Sequence, residues 1–171
     1  MPAEIDTMIS PKVLLKIAMK IRRASSTDSK WILHHRIEMF KDMGESEEML
    51  EETTQLTEKY LESDWMKDYL YFLVEEGEQV IGGCGISTFR IPPKHSQLSG
   101  VYAYLSNMFI EPEFRRKGVG TFLVKHVINF CKEKKIGLLL LHASDTGSLL
   151  YKSLGFDSPP RLMEIRTYDF E

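Results

Sequence analysis

Residues 111–133 read EPEFRRKGVGTFLVKHVINFCKE, and this stretch decides the fold. Its second half repeats apolar side chains at intervals of three and four residues, which is the spacing of one face of a helix. An apolar stripe this broad must face a sheet, so the stretch predicts a helix that packs on strands. The stripe consists of Val119, Phe122, Leu123, Val127, Phe130 and Cys131.

The start of this helix has the properties of an anion site. Its first amides have no acceptor within the helix, and the helix dipole adds about half a positive charge. Gly118 and Gly120 have no Cβ that would keep a phosphate away from the main chain. Positive charge is added by Arg115, Arg116 and Lys117. Spacing alone is equally compatible with an ordinary helix start, because neither a P-loop nor a dinucleotide-binding fingerprint is completed.

The rest of the chain predicts strands and helices on both sides of this segment. Six strands are predicted, at residues 17–24, 69–74, 80–90, 101–110, 136–141 and 163–168. Three further helices are predicted, at residues 30–43, 46–61 and 146–154. The almost wholly apolar run 136–141 is typical of a central strand that is covered on both faces and parallel to a neighbour. This order predicts an α/β (α+β) fold with a mixed, mostly antiparallel twisted sheet of six to seven strands and helices on both faces.

Length and composition predict one ordinary domain. The chain has 171 residues, of which 43% are hydrophobic and 27% charged, and this composition is that of a globular protein. Residues 1–16 have mixed periodicity and are interpreted as an N-terminal extension, while residues 17–171 form a single domain. The net charge of -3 provides no general basic field, so nucleic acid is not an expected partner.

The sequence predicts a reduced compartment and no contact with a membrane. The two cysteines, Cys84 and Cys131, have neither metal-site spacing nor the number that a disulfide framework needs, so we expect free core thiols and no bound metal. No apolar run approaches the roughly 20 residues of a membrane-spanning helix, and the first residues lack a signal-peptide core. We therefore expect a cytoplasmic protein, as a monomer or a homodimer.

Residues 115–120, Arg-Arg-Lys-Gly-Val-Gly, resemble the signature of the GCN5-related N-acetyltransferase (GNAT) superfamily. That signature is Arg/Gln-x-x-Gly-x-Gly/Ala between a strand and a long helix. The family also has a downstream strand, a short helix with a tyrosine and a closing Gly-Phe, and residues 138–156 supply LLLLHASDTGSLLYKSLGF in that place. The resemblance covers nearly all of the chain from about residue 17 and implies a GNAT-like acyl-CoA N-acyltransferase fold.

The resemblance implies an N-acetyltransferase with acetyl-CoA (coenzyme A) as its cofactor. The acetyl group would move to a primary amine of a small molecule or peptide by direct attack on the thioester. Main-chain groups of the helix start would bind the pyrophosphate, and the strand before it would pair with pantetheine, splaying from the strand of Leu141 around the acyl chain. The implied cofactor-binding residues are Met108, Phe109, Ile110, Arg115, Arg116, Lys117, Gly118, Val119, Gly120, Thr121, Ser144 and Tyr151. Many relatives have Asn in place of Ser144, which weakens that contact.

Acetyl transfer to an amine needs a proton donor and a proton acceptor. Tyr151 occupies the family position of the donor to the leaving thiolate, although its leucine neighbours are equally typical of a core aromatic. A Lys-like ammonium has a pKa of about 10.4, so forming the free amine at pH 7 costs roughly 4 to 5 kcal/mol without a base. Tyr104 stands where some relatives have a catalytic Glu. His142, at the end of a predicted strand, is the candidate catalytic base, and Glu111 is a further nearby carboxylate.

The acceptor is not defined by the sequence. Arg36 lies on the apolar stripe of the first predicted helix, where a substrate carboxylate or a coenzyme carbonyl could pair with it. Its stem could equally pack while its head reaches solvent. Asn107, on the strand that would pair with pantetheine, is the second candidate acceptor-binding residue. The alternative function is a catalytically silent acyl-CoA sensor or protein-interaction module, which the missing Glu favours and Tyr151 disfavours.

Overall fold

A computed structural model describes residues 19–95 and 98–158 of the chain. The described part contains five strands: β1 (Met19–Arg23), β2 (Tyr69–Glu76), β3 (Gln79–Arg90), β4 (Val101–Ile110) and β5 (Leu138–Leu141). It also contains four α-helices: α1 (Ser29–Asp42), α2 (Glu47–Glu62), α3 (Val119–Glu133) and α4 (Asp145–Ser153). The proposed extension over residues 1–16 and the predicted final strand over residues 163–168 lie outside the described residues.

The helices begin and end where local chemistry predicts. The Ser46 side chain accepts a hydrogen bond from the amide of Met49, which caps the start of α2. Gly44 follows α1 with a φ of +85°, a conformation that costs glycine little and other residues more. None of the helices in residues 19–95 and 98–158 combines the length and apolarity that a bilayer-spanning segment requires.

The five strands form one sheet in the order β1-β2-β3-β4-β5. The first three pairings are antiparallel, and β4 and β5 are parallel. The predicted mixed, mostly antiparallel sheet is therefore confirmed, with five strands in the described residues against the six to seven expected. The parallel pairing of β5 with β4 is as predicted, and β5 is the last strand of the sheet within residues 19–95 and 98–158, with Leu138 43% exposed. A run of leucines does not by itself distinguish a fully covered strand from a half-covered one.

Helices cover both faces of the sheet. Buried side chains of α3 and of one face of β2 to β4 form the larger core, which includes Leu123, Val127, Ile86 and Leu105. A smaller core lies between the other face and α1, around Ile32, Tyr71 and Leu73, with Trp65 at its border. The residues of each strand alternate between the two faces, and this alternation determines which side chains can meet.

A bulge in β4 breaks this alternation next to the centre of the sheet. Ser106 pairs with Gly85 and Phe109 pairs with Gly83, so two residues of β4 oppose the single residue Cys84. Asn107, within the bulge, has a φ of +53°. The extra residue places Ser106 and Asn107 side by side on the α1 face. The bulge therefore concentrates polar side chains at one point of an otherwise alternating strand.

Candidate active site

The start of α3 presents main-chain amides that the protein does not use. Gly118 precedes α3 with a φ of +88°, and no side chain caps the helix. The first helical hydrogen bond runs from the amide of Phe122 to the carbonyl of Gly118. Among the described residues, the amides of residues 118–121 have no main-chain or side-chain acceptor. Because these amides point out of the helix end, their natural partner is an anion.

Glycine suits positions 118 and 120 of the helix start for different structural reasons. A Cβ at Gly118 would meet no atom within 4 Å, so the space beside it is open, and its positive φ disfavours any other residue. A Cβ at Gly120 would lie 3.2 Å from Leu150 Cδ2 and 3.4 Å from Met108 Cε. Gly120 therefore also allows close packing of α3 against α4 and β4. Three elements converge at this point.

The three cations before α3 are also not equivalent. Arg115 is held by the protein, because its Nη2 lies 2.6 Å from Asp42 Oδ2 and its Nε donates to the carbonyl of Ile110 at 2.7 Å. Arg116 and Lys117 are exposed. Lys117 Nζ lies 5.3 Å from the centre of the Phe114 ring. Of the three predicted phosphate-facing cations, Arg116 and Lys117 form no ion pair with a described residue, whereas Arg115 is paired with Asp42.

The far end of β4 has an open edge beside β5. Pairing of the two strands ends at Leu105 and Leu141, and residues 106–110 have no sheet partner on that side within the described part of the chain. We name residues 106–110 the open edge. The Phe109 side chain packs against α1, with the centre of its ring 5.5 Å from that of His35. The carbonyl of Ile110 already accepts a hydrogen bond from Arg115. On the open edge, the main-chain groups of Met108 are therefore better candidates than those of Ile110 for pairing with a ligand.

Tyr151 lies on α4 and belongs to the larger core. Its helix packs beside the start of α3 and Met108 of the open edge. Tyr151 follows Leu150, which contacts the position of Gly120, and its ring packs edge-on against Phe156 at 5.5 Å. Burial raises the pKa of Tyr151 to about 12, and the Cys84 thiol opposite the bulge adds to this rise. The phenol therefore keeps its proton at neutral pH and can act as a hydrogen-bond donor.

Two residues after β5 have different surroundings from those expected. The Ser144 hydroxyl accepts from the amide of Gly147 at 3.2 Å and caps α4, so it serves the helix where a cofactor contact was expected. His142 Nδ1 is hydrogen-bonded to the Tyr104 hydroxyl at 2.5 Å. These two residues are 38 positions apart, and the parallel pairing of β4 with β5 brings them together. The sequence had singled out both residues without indicating that they form a pair.

A cleft of about 340 Å³ lies on the α1 face, between α1, α2 and the strands β3 and β4. Both candidate acceptor-binding residues, Arg36 and Asn107, line it. The sequence did not indicate the other lining residues, because they come from five separate elements: α1, α2, β2, β3 and β4. These are Ile32, Thr53, Leu56, Thr57, Tyr60, Tyr69, Ser87 and Ser106.

A buried polar network supports the cleft from below. The Tyr71 hydroxyl donates to the carbonyl of Asn107 at 3.2 Å, and His35 Nδ1 lies 3.0 Å from the same hydroxyl. Since the hydroxyl proton is directed at Asn107, His35 donates from Nδ1. Burial, with the charge of adjacent His34, lowers the pKa of His35 to about 3, so its ring is neutral at physiological pH. The network holds the bulge against α1.

The fold and the site together define the class of N-acetyltransferases: a mixed sheet with a bulged, open-edged strand that leads to an uncapped helix start. The model of the acetyltransferase (GNAT) family matches residues 36–156, so the chain belongs to this family, as its helix start indicated.

The chain is also similar to curated relatives and to solved structures. The chain is 37% identical over 62 residues to human cysteine-rich protein 2-binding protein, a match that covers 36% of the chain and 8% of that protein. It is 29% identical over 106 residues to human N-acetyltransferase 8, covering 55% and 44%. Both matches thus span less than half the length of the relative. A predicted acetyltransferase from Clostridium acetobutylicum, solved with acetyl-CoA, superposes with a TM-score of 0.74 at 25% identity, covering 88% of this chain and 97% of that one.

Proposed function

We propose that this protein transfers the acetyl group of acetyl-CoA to a primary amine of a small molecule or peptide. The observation that carries the proposal is the uncapped helix start at residues 118–121, next to the open edge of β4 and the helix of Tyr151. Acetyl-CoA, when bound, supplies the acetyl thioester that the amine attacks. The open space beside Gly118 and the two exposed cations fit its diphosphate.

The proposed roles of the residues follow from where each group lies. The amides of residues 118–121 bind the diphosphate, and main-chain groups of Met108 on the open edge orient the thioester and its carbonyl oxygen. The Tyr151 hydroxyl donates a hydrogen bond to the departing sulfur. A thiol has a reference pKa of about 8.5, well below that of the buried Tyr151, so this phenol stabilises a thiolate without giving up its proton completely.

Deprotonation of the amine is assigned to Tyr104 and His142 acting together. Strand alternation places Tyr104 on the α1 face, and its cross-strand partner Ser87 lines the cleft. The amine gives its proton to the Tyr104 oxygen while Tyr104 passes its own proton to His142 Nδ1. His142 is exposed and can release that proton to water. This relay takes the place of the carboxylate that a Glu at position 104 would provide.

The test of the function is release of free thiol from acetyl-CoA in the presence of a panel of amines. We expect release well above hydrolysis with at least one amine, together with a product whose mass increases by one acetyl group. Binding of acetyl-CoA without thiol release above hydrolysis for any amine would instead establish the silent sensor.

Replacing His142 with Gln should reduce kcat/KM about tenfold at pH 7, because the proton from Tyr104 loses its acceptor. The deficit should shrink as pH rises towards 10, since a Lys-like amine with a pKa of about 10.4 then increasingly loses its proton to solvent. The measurement is the pH profile of kcat/KM for wild type and H142Q. Tyr104→Phe should behave alike, and a deficit of equal size at every pH would refute the relay.

A further inference from the structure

The cleft on the α1 face has an unusual balance of charge. Its polar lining consists of hydroxyl groups, one amide and one guanidinium, that of Arg36, and no carboxylate is among the lining residues of the described chain. The many acidic residues of α2 do not line it; its contributions from α2 are Thr53, Leu56, Thr57 and Tyr60. A polycationic acceptor would therefore bring its charge to a site that already has a positive charge and nothing to neutralise it.

The Arg36 guanidinium lacks a carboxylate partner. Arg22 pairs with Asp28 and Glu75, and Arg115 pairs with Asp42, whereas Arg36 forms no ion pair within the described residues. Its Cζ lies 5.0 Å from the centre of the Phe40 ring, which supports one face of the guanidinium and leaves its in-plane N–H groups for acceptors. A half-buried guanidinium in a cleft is a natural partner for a carboxylate.

Asn107, which also lines the cleft, has a buried side-chain oxygen without a partner among the described residues. Asn107 is only 3% exposed, and its Nδ2 donates to the carbonyl of Ile32 and to the Tyr71 hydroxyl, both at 3.3 Å. Its Oδ1 is buried without any donor. A buried acceptor without a donor costs free energy, so a ligand N–H is favoured there. The Asn107 side chain is held at the carbonyl of Ile32, and Arg36 follows Ile32 by four residues on α1, a rise of about 6 Å along the helix axis.

From these two unpartnered groups we infer that the acceptor is a small aminocarboxylate, such as a free α-amino acid. Arg36 binds its carboxylate, and Asn107 Oδ1 accepts a hydrogen bond from its amine. Because Arg36 and Asn107 line the same cleft of about 340 Å³, one small ligand can contact both residues. This inference rests on the proposed acetyl transfer and assigns its substrate class.

The experiment compares α-amino acids of small, apolar, polar and acidic side chains with their amides, in which the carboxylate is replaced by a neutral group. With acetyl-CoA saturating, we expect at least one amino acid to have a kcat/KM about tenfold or more above that of its amide. Arg36→Gln should remove about tenfold from the amino acid and leave the amide nearly unchanged. Arg23→Gln, an exposed arginine on β1, is the matched control and should leave both unchanged. Amides acetylated as well as the amino acids across the panel would overturn the inference.

A binding measurement keeps the two proposals distinguishable. The Kd values of N-acetylated amino acids and of their amides are measured by calorimetry on the wild type and on R36Q. If no amine releases thiol, acetyl transfer fails as the function, while tighter binding of the carboxylate form by the wild type alone still supports the Arg36 site. Equal binding of the acid and the amide would overturn the Arg36 site whatever the activity.

Discussion

Tyr151→Phe should lower kcat about 10²-fold while leaving the affinity for coenzyme A within a factor of two or so. Removing one preorganised donor to a developing negative charge costs on this scale in other enzymes. The phenyl ring keeps the packing against Phe156, so the fold is preserved and only the hydroxyl is lost. Thiol release under saturating substrate gives kcat, and calorimetry gives the coenzyme Kd. A lower kcat with an unchanged Kd for coenzyme A is the result expected for a group that acts on the leaving sulfur in the transition state.

The matched control for this variant is Tyr102→Phe. Tyr102 is also buried, at 6% exposed, and stacks on Phe89 at 5.5 Å near the opposite end of β4 from the open edge. Its loss of a hydroxyl should leave kcat unchanged. A fully active Y151F enzyme would discard the assignment of Tyr151, and equal losses in Y151F and Y102F would point to general packing effects in place of chemistry.

Gly118→Val should weaken binding of coenzyme A about 10²-fold, the second large effect. A β-branched residue strongly disfavours the φ of +88°, so the backbone must rotate and the amides of residues 118–121 lose their common direction. Each hydrogen bond to a charged group contributes about 1.5 to 3 kcal/mol, and loss of one or two corresponds to this change in Kd. The measurement is the Kd of coenzyme A by calorimetry.

Gly77→Val separates strain from binding. Gly77, in the turn between β2 and β3, also has a positive φ, of +61°, and a Cβ there would meet no atom within 4 Å. Both substitutions should reduce the free energy of unfolding, by roughly 1 to 2 kcal/mol in urea titrations. Only the variant at Gly118 should lose coenzyme affinity. If G118V bound coenzyme A as tightly as wild type, the helix start would not be the diphosphate site.

Local signals in the sequence were sufficient for most elements of the fold. The three- and four-residue spacing over α3, the cap at Ser46 and the glycine after α1 each depend on residues within a few positions of one another. Such signals act before any tertiary contact forms. The family signature at residues 115–120 was identified correctly, and the family match confirms it. The roles of the individual residues remain predictions until the variants above are measured.

The arrangement of the candidate site depends more than the helices and strands do on contacts between residues that are distant in sequence. Arg115 pairs with Asp42, which is 73 residues away, and no local pattern joins these two residues. The close contacts at Gly120 are to Leu150 and Met108, on two other elements that the local pattern around Gly120 does not indicate. Tyr104 and His142 were each noted separately, and only the register of β4 against β5 joins them.

By itself the sequence determined the helices, the strands of the described sheet, the uncapped helix start and the family, because these follow from periodicity, end signals and a contiguous motif. Only the tertiary structure decided where β4 bulges, since that depends on which residue of β3 each residue of β4 meets. The bulge places Ser106 and Asn107 on one face of the sheet, where both line the cleft together with Arg36. Register between strands is a property of the whole sheet, and no single segment contains it.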